Sequence, residues 1–303
     1  MITTLLKLRL VSAFAVLAFA AGLVVPQMVS NISIQGHRGA RGYVPENTIP
    51  SFIKALDLGA DTLEMDVVIT SDRKVIVSHE AYFRAAISLD PSGRRIDPDD
   101  EKKHNIYQMT YKQTSLYDVG TVTDPAFPDQ AAQKVSKPLL RDVFRAVERY
   151  AKQKGLRLPE YNIEIKSSPD GDGRDHPAPE EFVRLVMREI SRARLVKRVI
   201  IQSFDTRPLV IMHREHPSIR ISYLTSNALG AEKNIEILGF RPDIYSPNFL
   251  RLDAASMQYC RAAGIKVIPW TVNSIDALER MKGLGVDGVI SDYPDRARRI
   301  LIR

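Results

Sequence analysis

The chain of 303 residues contains a single cysteine, Cys260, and a single tryptophan, Trp270. One thiol cannot close an internal disulfide, so the fold must depend on a hydrophobic core. The flanking residues Tyr259, Arg261, Ala262 and Ala263 suit a helix, which makes Cys260 a buried structural thiol by expectation. No run of like charges occurs, and aromatic residues are not interleaved with arginines. Nucleic acid is therefore not the expected partner, although a net charge of +7 and a pI near 9.4 favour anionic ones. No glycine-rich dinucleotide fingerprint follows any candidate strand, which argues against an open doubly wound sheet. Long apolar runs are also scarce. The exception is the uncharged stretch 10–25 behind Lys7 and Arg9, which is short of the roughly 20 residues that span a bilayer. A basic start, an apolar middle and small residues at Ala18, Ala20 and Gly22 are the pattern of a secretory signal. Residues 1–30 are thus expected to be a signal peptide or an N-terminal anchor. The protein is expected to be exported, periplasmic or secreted, with membrane association through residues 10–25 as the alternative to cleavage.

What the sequence does have is a hydrophobic content of 44% beside 26% charged residues, enough for a sizeable core. After Pro26, short apolar runs alternate with amphipathic segments, the pattern of a parallel sheet with crossover helices. Strands are expected at 32–36, 62–68, 75–79, 161–166, 199–203, 219–224, 244–247, 266–272 and 287–291. Helices are expected at 48–58, 141–154, 180–194, 207–215, 232–238, 253–263, 274–284 and 295–301. Only residues 70–74 separate the second strand from the third, too few for a parallel crossover, so that pair must be an antiparallel hairpin. Eight β/α units remain, which predicts a single TIM-type (β/α)8 barrel domain over residues 31–303. Segment 81–137 has neither helical nor strand periodicity and is expected to be an insertion after the hairpin, lying as a lid over the barrel mouth. Residues 167–178, rich in Asp, Gly and Pro, should emerge at the same end.

Side chains two apart on a strand share a face. In the second strand this sets Glu64 and Asp66 opposite the apolar Leu63, Met65 and Val67. Because the apolar set must pack against helices, the two carboxylates point into the barrel, where a hard divalent metal would compensate them. The fourth strand repeats the pattern with Glu164 and Lys166. Three carboxylates suit Mg²⁺ or Ca²⁺ rather than zinc, and Lys166 can serve a phosphate; an internal salt bridge from Lys166 to Glu164 or Asp66 is the plainer alternative. The loop 36–48 brings His37 and Arg38 to the end of the first strand, and the hairpin returns His79 to the same mouth. Two histidines flanking a phosphate can divide the work of base and acid. Trp270, at the end of a later strand, is core or an apolar wall for an alcohol moiety. His104, His176, His213 and His216 fit no pattern and read as surface residues.

The run His37-Arg38-Gly39, Pro45-Glu46-Asn47-Thr48, Glu64-x-Asp66, Val77-x-His79, Asn162-Ile163-Glu164-Ile165-Lys166, Gln202-Ser203-Phe204, Trp270-Thr271-Val272-Asn273 and Asp287 to Pro294 resembles the glycerophosphodiester phosphodiesterase family. The resemblance implies a barrel of the phosphatidylinositol-phospholipase-C-like group that hydrolyses small-molecule glycerophosphodiesters to an alcohol and sn-glycerol 3-phosphate. It makes His37 and His79 the acid/base pair, and Arg38 and Lys166 the phosphate ligands. Glu64, Asp66 and Glu164 become the ligands of Mg²⁺ or Ca²⁺, and Glu46 lies beside the metal or the glycerol. Glu80 departs from the commoner Asp after the second histidine. A lysophospholipase D acting on membrane lysophospholipids and a catalytically dead phosphodiester-binding barrel are the competing expectations; the second normally lacks a histidine or a metal carboxylate.

Overall fold

The computed structural model describes residues 32–302, so the expectations for residues 1–30 lie outside the described residues. Among those described, no helix is long and apolar enough to cross a membrane.

Strand β1 (Ser33–Gly36) leads to helix α1 (Ile49–Asp57), where Thr48 caps the helix and Pro50 opens its first turn. Strands β2 (Thr62–Ile69) and β3 (Val75–Val77) form the antiparallel hairpin, in register Val67 to Val77. After the insertion the chain runs α3 (Leu140–Lys154), β4 (Glu160–Ile165), α4 (Pro179–Ala193), β5 (Val199–Ser203), α5 (Thr206–Glu215) and β6 (Arg220–Thr225). It continues with α6 (Gly230–Leu238), β7 (Ile244–Pro247), α7 (Ala254–Ala262), β8 (Lys266–Val267), α8 (Ile275–Leu284), β9 (Gly288–Ser291) and α9 (Pro294–Leu301). The parallel order is β8-β7-β6-β5-β4-β2-β1-β9, with β3 appended to β2.

Strand β8 is shorter than the expected 266–272. Pro269 has no N–H to give to a ladder, yet the segment still bonds to both neighbours. Ile268 and Trp270 donate to the carbonyls of Tyr245 and Pro247 at 3.0 and 3.1 Å. On the other side Asp287 and Ile290 donate to Val267 and Pro269, and Val272 donates to Ile290. These bonds close the cycle, and the architecture is the TIM barrel expected from the eight β/α units.

The core has two layers. Between strands and helices, Leu63, Met65, Val67, Ile163 and Ile165 pack against Phe52, Phe144, Val147 and Phe182; Cys260 is buried in a second such cluster, and burial pushes its thiol up to about 12. Inside the barrel, Ile200, Ile244, Ile268 and Ile290 form an apolar half with Trp270. The other half is polar: Asn162 donates to Gln35 at 2.8 Å and to Gln202 at 2.9 Å.

The insertion, although aperiodic, is not loose. It contains a four-residue helix, α2 (Tyr111–Thr114), closed by a capping box at Thr110 and Gln113. Phe83, Ile96, Ile106, Tyr117 and Val119 bury one another against Val68 and Ile76 of the hairpin. Gln130 donates to the carbonyl of Arg41 and Asn105 to the carboxylate of Asp175, so the insertion is tied to both loops expected at the mouth. His176 departs from its expected surface position. It is buried in the loop 167–178, accepting from the backbone of Ser168 at 3.0 Å, because a Gly171 without a side chain leaves room for the ring.

Phe52 is fully buried between α1 and the sheet. Phe52→Ala is expected to cost about 3–5 kcal/mol of unfolding free energy, read as a lowered denaturant midpoint.

Candidate active site

The carboxyl ends of β1, β2 and β4 converge. Carboxylate oxygens of Glu64, Asp66 and Glu164 lie within 4.8 Å of one another, and all three residues are buried. Alternation along the strands explains this: register pairs Asp66 with Glu164 across the β2–β4 ladder, and Glu64 stands two residues behind on the same face.

Each carboxylate is held by a partner from another element. The backbone N–H of Arg38 and the amide of Gln202 both donate to Glu64 at 2.8 Å. Asn47 donates to Asp66 at 2.8 Å, and the Arg38 guanidinium stands 3.3 Å from it. Lys166 donates to Glu164 at 2.8 Å and lies 4.0 Å from Asp66. The salt bridge expected as the plainer alternative therefore exists, inside the carboxylate group itself. Arg38 can reach Glu64 with its backbone because it adopts a left-handed conformation, φ 51°, uncommon for a side chain of this size. The turn requires Gly36 beside it, since a β-carbon there would meet the carbonyl oxygen of Gly39 at 2.5 Å.

Electrostatics divide the three acids. Burial, then the repulsion of Asp66 and Glu164, raise Glu64 well above the usual carboxylate range. Glu164 is likewise raised, by burial first, with Lys166 opposing. Burial would also raise Asp66, but the charges of His79, Arg38 and Lys166 outweigh it and hold that carboxyl well below the ordinary range. A site that lifts two of three oxygen donors toward protonation is short of positive charge, and an all-oxygen donor set fits a hard divalent cation.

The two histidines face the same cleft. A cavity of about 250 Å³ is lined by His37, Arg38, Glu64, His79, Glu164 and Gln202, with Phe204, Leu224, Trp270 and Ile290 as an apolar wall. His37 shares a 2.7 Å hydrogen bond between Nδ1 and Asp292, which also accepts from Asn273 at 2.6 Å. Burial lowers the pKa of His37, with Asp292 opposing and Arg38 reinforcing. His79 bonds through Nδ1 to Glu80 at 2.5 Å, while Lys166 stands 3.2 Å from Nε2. Trp270 packs edge-to-face on Phe204 and donates its indole N–H to Ser246. Glu46 is paired with Arg38 at 3.0 Å and with Arg41 at 2.7 Å, and Arg38 links it to Asp66.

Sequence reasoning singled out the strand ends carrying Gln202, Asn273 and Asp292 but did not assign their parts. Asn47 and Arg41 were also unassigned. All five act by hydrogen bonds or ion pairs between distant elements, which no local spacing reveals.

Burial would raise Glu46, but Arg38 and Arg41 overcome it and hold the carboxyl at about 2, below its ordinary 4.5. A depressed pKa contributes stability above the ordinary value that is lost as pH falls through the folded one. The wild type is expected to lose this contribution between about pH 4.5 and pH 2. Glu46→Gln removes that part of the slope, and thermal melts across the acid range measure it.

Comparison with known proteins agrees with this geometry. The profile of the glycerophosphoryl diester phosphodiesterase family matches residues 37–296. A Bacillus altitudinis protein named glycerophosphodiester phosphodiesterase is 29% identical, over 88% of this chain and 97% of its own. A human protein named lysophospholipase D is 27% identical, over 88% of this chain and 84% of its own. A solved structure from Silicibacter pomeroyi, with a provisional glycerophosphoryl diester phosphodiesterase name, superposes with a TM-score of 0.81 at 31% identity, covering 90% of this chain and 94% of that one. With the match running from His37, at the end of β1, to residue 296, the chain belongs to the glycerophosphoryl diester phosphodiesterase family.

Proposed function

We propose that the chain hydrolyses glycerophosphodiesters to an alcohol and sn-glycerol 3-phosphate, with His37 as base and His79 as acid. The observation that carries this reading is the meeting of two histidines and three buried carboxylates around one cleft. Glu64, Asp66 and Glu164 would hold a divalent cation, Mg²⁺ or Ca²⁺, which neutralises phosphate oxygens and the charge that builds up on them.

The protein's own groups supply the rest. Arg38 and Lys166, beside the carboxylates, would add positive charge at the phosphate where the transition state needs it. His37 is kept neutral by burial, and its Nδ1 proton is directed to Asp292. Nε2 is then free to accept the proton of the attacking hydroxyl, from water or from the neighbouring glycerol hydroxyl. As the new P–O bond forms and the bond to the alcohol breaks, His79 gives its Nε2 proton to the leaving oxygen. Lys166 now occupies that nitrogen. Binding of a phosphate draws the ammonium away and frees Nε2, and Glu80 supports the imidazolium from the other side.

Activity is expected to vanish with chelator and to return with Mg²⁺ or Ca²⁺, and His37→Ala is expected to lower kcat by about 10²–10⁴. Full turnover in excess chelator, or in His37→Ala, would refute the reading. The acid limb of kcat/KM reports the loss of neutral His37 and lies below its ordinary pH 6.5. Because Asp292 opposes that depression, Asp292→Asn is expected to move the limb to still lower pH while reducing kcat.

One observation favours a second substrate class. Phe204, Leu229, Leu250 and Ile275 are 40%, 54%, 70% and 52% exposed, and they follow β5, β6, β7 and β8 at the mouth end. Phe204 belongs to the apolar wall of the cleft and the other three lie at the same end of the barrel, where an acyl chain of a lysophospholipid would find apolar side chains. Assay of glycerophosphocholine against lysophosphatidylcholine decides between them. The first reading expects the deacylated diester to have the higher kcat/KM, and a preference for the lipid that is lost in Leu250→Ser would establish the second.

A further inference from the structure

The end of the barrel opposite the cleft, where each helix returns to the next strand, has a different charge character. Arg157 precedes β4, Arg194 and Lys197 precede β5, Arg241 precedes β7, and Arg261 and Lys266 lead into β8; all six are exposed. None of them forms an ion pair with an acid among the described residues. Of the acids at this floor, Glu160 pairs with Arg220 at 2.9 Å and Glu215 with Arg214 at 2.6 Å, and three others accept from strand backbone. Asp61 accepts from the N–H of Ile34 at 3.1 Å, Asp243 from Ile221 at 2.8 Å and Asp287 from Val267 at 2.8 Å. The six cations thus lack an acid partner, while Asp61, Asp243 and Asp287 each hold a strand N–H, Asp243 and Asp287 being themselves exposed.

A groove adjoins this face. Between α3 and α4 lies a cavity of about 820 Å³, in which Arg149, Lys152 and Arg192 stand over Phe144, Leu158 and Leu195. Its two acids are already engaged: Glu148 accepts from Arg198 and Tyr161 at 2.7 Å, and Glu189 pairs with Arg188 at 3.4 Å. Arg192 also reaches Glu189 at 3.9 Å, while Arg149 and Lys152 have no acid partner among the described residues, so the surface combines unpaired cations with an apolar crevice.

From this arrangement we infer that the barrel floor docks on an anionic lipid bilayer, with the catalytic mouth directed away from the membrane into water. Clustered cations near an anionic surface act within a Debye length and reinforce one apolar attachment. At the mouth, by contrast, Arg38 and Arg41 are paired with Glu46, and Arg207 with Asp172 and Asp205, which leaves Arg251 as an exposed cation without an acid partner among the described residues. The inference concerns a surface outside the cleft and stands apart from the reading of the site.

The test is sedimentation of the full chain with vesicles of phosphatidylcholine alone or mixed with phosphatidylglycerol. Partitioning onto the mixed vesicles is expected to be at least about tenfold stronger at low ionic strength, and to fall toward the neutral value as salt rises. A variant with Arg194→Gln, Lys197→Gln, Arg261→Gln and Lys266→Gln is expected to lose the preference while hydrolysing a soluble glycerophosphodiester at the wild-type rate. The pair Arg261→Gln and Lys266→Gln serves if the fourfold variant does not fold, and is expected to retain an intermediate preference. Equal partitioning onto both vesicles, or a preference untouched by these changes, overturns the inference. So does a preference abolished by Leu229→Ser with Leu250→Ser, which would put the mouth on the membrane, or tighter capture by polyglutamate than by the anionic vesicles.

Discussion

Three carboxylates forced into one buried spot are the constraint to which the rest of the barrel answers. Their repulsion would destabilise the sheet that carries them unless every oxygen had a partner. The partners come from as many elements as the fold can bring: the backbone of Arg38 after β1, Asn47 before α1, Gln202 from β5 and Lys166 after β4. A single missing donor leaves a buried oxygen with no compensation. The site is thus a contract among strands as much as a place for chemistry, and its geometry is set before substrate arrives.

The interior is accordingly divided. Strands β1, β2, β4 and β5 turn Gln35, Glu64, Asn162 and Gln202 inward, and the bonds among these side chains run across the barrel from one strand to the next. The other half is filled by Ile200, Ile244, Ile268 and Ile290. Packing the isoleucines as a solid wall keeps water on the polar side. It also leaves Phe204 and Trp270 as the apolar boundary of the cleft, with the Trp270 indole fixed by its bond to Ser246.

Much of this was legible in the sequence because it depends on alternation. Glu64, Asp66 and Glu164 could be placed on an inner face by the apolar residues between them, and the short link 70–74 forced the hairpin that returns His79. The barrel followed from counting crossovers, and the family from motifs in order. What escaped was the long-range part. Asp292 meets His37 across 255 residues, and no spacing rule connects them. The pairing of Glu46 with Arg38 and Arg41 is likewise set by the folded loop and not by its motif. The insertion's core, built on Phe83 stacked with Tyr117, is aperiodic by nature, since neither helix nor strand sets its contacts. His176 looked like a surface residue because its burial depends on the small volume of Gly171, which composition does not express.

The hairpin strand β3 has one further meaning. Among the described strands it pairs with β2 and takes no place in the cycle of parallel strands, and its other edge is bridged at Ile76 to Leu139, where the insertion ends. His79 and the entire insertion therefore hang from an arm outside the closed ring, whereas the carboxylates belong to the ring itself. Residues can be added to or removed from that arm without changing the stagger of any ring strand. The molecule separates a fixed part, which gathers charge, from an exchangeable part, which sets what approaches it, and the seam between them runs from the three-residue ladder, Val67–Val77 to Ile69–Val75, to the bonds that tie the insertion to Arg41 and Asp175.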